Sequence, residues 1–127
     1  MENKFKNEME IELAGEKILL RPNFENLAMM ETKMGGVAYL AYKYGGGYDV
    51  ETGKIDPAKA AKALPPLTDA AQIIYFNQAE KKYTLEEIHS MLLQTGIKAC
   101  FSVVMFLARC TAGNKLAKEP STKQKKS

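Results

Sequence analysis

The stretch Ile97 to Cys110, IKACFSVVMFLARC, is apolar almost all the way round a helix. Only Lys98, Ser102 and Arg109 interrupt it, and at about 100° per residue they fall on one narrow line. A helix with so little polar surface must be buried on most of its sides. Before it stands TLEEIHSMLLQTG, in which Thr84 and Glu87 have the S/T-x-x-E spacing of a capping box. Leu85, Ile88, Met91 and Leu92 follow on one stripe, and Gly96 supplies the positive φ that ends a helix. The spacing predicts a helical hairpin from Thr84 to about Ala112, around which the rest of the chain is organised.

A length of 127 residues, 46% of them hydrophobic, suits one domain with its own core. The expected division is a flexible N-terminus (1–7), a single α+β domain (8–114) and a disordered basic tail (115–127). The net charge of +3 is unevenly spread. Residues 115–127 hold five lysines against Glu119, a net +4, which leaves −1 for residues 1–114. A folded body of that charge does not suggest nucleic acid. Cys100 and Cys110 lie about 15 Å apart along one helix, too far for a disulfide, which suits a reducing cytoplasm. No signal peptide and no span of roughly 20 apolar residues is present, so no membrane is expected.

In chain order, Met9, Ile11 and Leu13 alternate with Glu8, Glu10 and Glu12, the pattern of a half-wet strand. Gly15-Glu16 suits a type II′ turn, with Lys17–Arg21 returning so that Leu13 faces Ile18 and Ile11 faces Leu20. Pro22 stops the strand and Asn23 caps FENLAMMETKM, whose apolar stripe is read as Phe24, Leu27 and Met34, with Met30 beside it. Glu31 shares the face of Phe24; it either flanks the core and reaches solvent or is a buried carboxylate held by amides or a partner. Gly35-Gly36 ends this helix, and VAYLAYKY forms a second. GGGYDVETGKIDP fails the phosphate-loop pattern at Tyr48 and Ile55, and its acids lack EF-hand spacing. PAKAAKAL forms a short helix, and DAAQIIYFNQAEKK a longer one from Thr68 or Asp69. The fold class is therefore α+β: a β-hairpin followed by a bundle of about four to five helices.

The catalytic inventory is thin. His89 flanks the apolar stripe of its helix, neither cysteine has a histidine placed near it, and no metal or cofactor motif occurs. The chain reads as a binder with no enzymatic activity, no cofactor and no metal. Tyrosine gives amphipathic contact area at low entropy cost, and Tyr39, Tyr42, Tyr44 and Tyr48 crowd ten residues. Met105 falls on the polar line of the last helix, where it meets a partner if that line faces out. Tyr39, Tyr42, Tyr44, Met105 and Glu31 are the candidate contact residues.

The order of parts resembles the phage tail assembly chaperone family of the gene-transfer-agent type. A charged hairpin, MEIELAGEKILLRP, leads into an aromatic-x-x-Leu-x-x-x-Glu-x-x-x-Gly pattern matched by Phe24, Leu27, Glu31 and Gly35. LTDAAQIIYFNQAEKKYTLEEIHSMLLQTG resembles the family's next helix pair, and the apolar helix after Gly96 its last. The likeness covers about 8–112, with the loop 45–66 and the tail outside it. It implies a cytoplasmic protein of a phage-infected or prophage-bearing bacterium that binds tape-measure and tail-tube proteins during tail morphogenesis, and it leaves self-association open. The alternative is a small helical regulator that contacts nucleic acid through Lys115–Lys126.

Overall fold

The computed structural model describes residues 8–47, 49 and 51–111. The expected flexible N-terminus and basic tail lie outside the described residues, as does Tyr48. Strands β1 (Met9–Leu13) and β2 (Glu16–Leu20) form an antiparallel hairpin. Six helices follow: α1 (Phe24–Met34), α2 (Val37–Tyr44), α3 (Pro57–Lys62), α4 (Leu67–Asn77), α5 (Leu85–Thr95) and α6 (Ile97–Thr111). The architecture is α+β as expected, with six helices against the expected four to five. The short helix expected in PAKAAKAL forms as α3, held by Pro57 in its first turn and by the Asp56 side chain, which accepts from the amides of Ala58 and Lys59.

The hairpin register differs from the expected one. Ile11 pairs with Ile18, Met9 with Leu20 and Leu13 with Glu16, so the two turn residues are Ala14 and Gly15. Both have positive φ, 51° and 83°, as a type I′ turn requires. Moving the partner by two residues keeps every side chain on its own face, so the apolar alternation fits either register. Charge separates them. The observed register sets Glu12 opposite Lys17, and it brings Arg21 Nε within 2.5 Å of the Glu8 carboxylate.

α6 is the centre of the molecule. It touches α2, α4, α5 and β1, and Val103, Phe106 and Leu107 are wholly buried. α5 carries the capping box, with Thr84 Oγ1 accepting from the Glu87 amide at 3.1 Å and Glu87 accepting from the Thr84 amide at 2.8 Å. Its partner, however, is chiefly α4, not α6, because the chain turns through 118° at Gly96. The expected hairpin is thus an open corner. No single described helix is long and apolar enough to cross a membrane.

The helix expected to run on through Lys82 stops at Asn77. Gln78 is extended and forms a bridge with Leu20. The Arg21 amide donates to the Asn77 carbonyl at 2.7 Å, and the Ala79 amide to the Leu19 carbonyl at 2.8 Å. The buried Gln78 amide then ties both ends of the following turn, donating to Tyr75 and Tyr83 carbonyls and accepting from the Tyr83 amide. These tertiary bonds outweigh the helix preference of QAEKK.

Candidate interaction surfaces

α1 lies with a different face inward than its expected stripe. Met30 is fully buried and Leu27 and Met34 are half-buried, but Phe24 is 86% exposed and Asn26 only 3%. The cause is a set of directional bonds at the start of the helix. Asn23 Oδ1 accepts from the Asn26 amide at 2.8 Å, and Asn26 Nδ2 donates to the Arg21 carbonyl at 2.7 Å. Asn26 Oδ1 in turn accepts from Lys81 Nζ at 2.7 Å, and the same ammonium donates to the Phe76 carbonyl at 2.8 Å. This joint ties the end of β2, the start of α1 and the end of α4. It carries one defect: Asn77 Oδ1 is buried with no hydrogen-bond partner among the described residues, a cost of about 1–3 kcal/mol. The pattern Leu27, Met30, Met34 satisfies helical spacing without Phe24, and it is the signal that marks the true inner face.

With Asn26 turned in, the outer side of α1 carries Phe24 and Glu31. Glu31 is exposed, so the buried-carboxylate alternative does not hold; its Cγ lies over Gly36, 3.6 Å from where a Cβ would stand. Gly35 has φ 100° and donates its amide to the Glu31 carbonyl, closing α1. The Tyr39 ring lies against Gly35, so close that a Cβ there would meet it at 2.9 Å. Tyr39 is 51% exposed and Tyr42 89%. Lys43 Nζ sits 5.7 Å from the Tyr39 ring centroid and 5.3 Å from that of Tyr44. Tyr44 itself is buried, its hydroxyl donating to the Asp69 carboxylate. It is an internal strut, not a contact residue. Burial first, and the Asp69 carboxylate second, push its phenol above the ordinary value. Met105 is half-buried, and the line it shares does not face solvent along its length, because Arg109 Nη1 donates to the Glu8 carbonyl at 2.8 Å.

Asp49 and Asp56 serve the fold. Asp49 accepts from the Glu51 amide at 2.9 Å within its own turn, and Asp56 caps α3. His89 is half-buried on the wall of an open groove between α4 and α5, beside Leu85, Glu86 and Gln72. Cys100 is buried and Cys110 half-buried, both as free thiols; burial raises both, Cys110 to about 12 with Arg109 opposing. Among the described residues, no three His, Cys, Asp or Glu side chains are grouped so as to hold a metal ion.

The fold defines a small α+β protein in which a two-stranded hairpin packs on α5 and α6 and an aromatic outer surface is carried by α1 and α2. Comparisons with protein-family models, curated proteins and solved structures return no match to the chain.

Proposed function

We propose that the chain is a non-enzymatic tail-assembly chaperone of a phage or prophage. In this reading it works in the bacterial cytoplasm and binds tape-measure and tail-tube proteins while tails are built. The observation that carries it is the outer surface of α1 and α2, where Phe24 and Tyr42 stand 86% and 89% exposed on well-formed helices. Neither ring is needed to complete the core. Large aromatic groups held rigidly in water favour a partner that covers them, since burying each contributes area at little entropic cost. The resemblance supports the same surface, because Phe24 and Glu31, two of its four motif residues, face outward.

The test is co-expression with a tape-measure fragment of the same phage. The wild-type chain keeps the fragment soluble and co-purifies with it; the double variant Phe24→Ser/Tyr42→Ser loses it while keeping a native circular-dichroism spectrum. The net +4 of residues 115–127 favours a second reading, nucleic-acid binding. A shift on DNA that weakens steeply with salt and disappears when 115–127 are deleted, without tape-measure binding, replaces the first reading with the second.

A further inference from the structure

A groove of about 590 Å³ runs between α1 and α4. Its wall is Met29, Tyr75 and Phe76, and its polar border is Glu25, Lys33 and Lys81. The Tyr75 and Phe76 rings are tilted at 60° with centroids 5.4 Å apart, and Met29 is 45% exposed. Lys81 is fixed in place by its bonds to Asn26 Oδ1 and the Phe76 carbonyl. An ammonium has three donors, so one is uncommitted among the described residues. Both acceptors are neutral. Lys81 is exposed, and burial of part of its side chain lowers its pKa, with the Glu25 carboxylate opposing.

We propose that this groove docks an amphipathic helix of a partner protein. An aliphatic or aromatic side chain seats between Met29 and the Tyr75–Phe76 pair, and a carboxylate one turn away meets Lys81 and Lys33. A helix fits because two packed helices offer ridges and grooves of side chains. Strand addition by an extended peptide needs a sheet edge, and the groove's walls are the helices α1 and α4. The partner is acidic because two lysines stand against one glutamate on the groove's border, and an ammonium already held in place by two bonds pairs with a carboxylate at little ordering cost. A methionine and aromatic wall adapts to different apolar side chains. This surface is separate from Tyr39 and Tyr42, so the inference does not depend on the partner being a tail protein.

The probe is a fluorescent amphipathic peptide of about 18 residues, long enough to hold a helix, with leucines at i, i+3, i+4 and i+7 flanked by glutamates. A twin peptide has lysine in place of each glutamate. Anisotropy titrations on the full chain should show the glutamate peptide binding and the lysine twin binding at least about tenfold more weakly. Met29→Glu should weaken the glutamate peptide at least about tenfold. Lys33→Glu should weaken the glutamate peptide and strengthen its twin. Met29 and Lys33 are both exposed, so neither variant threatens the fold, and thermal melts check that directly. Equal binding of the two peptides, indifference to Met29→Glu, or no binding at all overturns the proposal. So does a dimer that cross-links through Met29→Cys, because the occupant is then a second copy. None of these results alters the outcome of the Phe24/Tyr42 test.

Discussion

α1 and α5 are both eleven residues long, begin on a side-chain cap and stop on a glycine of positive φ. They are nevertheless held in place by different forces. α5 turns Ile88, Met91 and Leu92 inward, an entirely apolar stripe. α1 turns Asn26 inward with Met30 and leaves Phe24 in water. Hydrophobic burial is non-directional and fixes α5 only by which face is greasy. Hydrogen bonds are directional, and those of Asn26 to Arg21 and Lys81 fix the rotation of α1 about its own axis. An aromatic side chain left outside by that rotation is free to serve a partner.

The comparison breaks most easily at α5. Leu92 is fully buried, so Leu92→Ala should cost about 2–5 kcal/mol, read from the urea midpoint. Asn26→Ala should cost about 1–3 kcal/mol, because it removes one of the two hydrogen bonds to the Arg21 carbonyl, which keeps the Asn23 amide at 2.9 Å, and one bond from Lys81. Asn26→Leu restores apolar bulk without the bonds and should be no better. If Asn26→Leu matches the wild type, α1 is held by packing as α5 is, and the distinction fails.

These two helices also show what could be read from the chain alone. Caps are local chemistry: Thr84 with Glu87, Asn23, and the stops at Gly35 and Gly96 all depend on residues within four positions of one another. They were legible. The buried nature of α6 was legible too, since only three of the fourteen residues Ile97–Cys110 are polar and they share one line. The phase of α1 was legible only in part: Leu27, Met30 and Met34 mark its inner face, but the turning in of Asn26 in place of Phe24 depends also on Lys81, 55 residues away. The end of α4 was set equally remotely, by the pairing of Leu20 with Gln78. Of the candidate contact residues, Tyr39 and Tyr42 point outward as a tyrosine cluster on a short helix can. Tyr44 does not, because helical spacing puts it on the inner side with Leu40.

The C-terminal end of α6 sharpens the contrast in another way. Burial raises the thiols of Cys100 and Cys110 and the phenol of Tyr44. The folded chain therefore holds these protons more tightly than the unfolded chain does. The stability they contribute is complete below about pH 8.5, the ordinary thiol value, and is lost as pH rises toward the folded values, about 12 for Cys110. Urea midpoints should fall between about pH 7 and about pH 10.5, and Cys110→Ala should flatten part of that decline. A smaller change concerns the hairpin. Ala14 holds φ at 51° without being glycine, a strain of roughly 1 kcal/mol. Ala14→Gly should recover about 0.5–1 kcal/mol if the Ala14-Gly15 turn is the one that forms, and should gain nothing if the turn is Gly15-Glu16.

The smallest effect on stability belongs to Phe24. At 86% exposure its ring contributes little to the core, so Phe24→Ala should shift the urea midpoint by less than about 0.5 kcal/mol equivalent. A phenylalanine placed on the inner stripe would cost about 3–5 kcal/mol on the same change. The measured value therefore decides which face of α1 is inward, independently of any partner. The same variant decides the functional use of that face. Removing a ring that the fold does not need should leave the melt intact and weaken capture of a tape-measure fragment, with Tyr42→Ala behaving likewise. An intact melt with undiminished capture leaves Phe24 an ordinary exposed residue and moves the contact surface elsewhere on the chain.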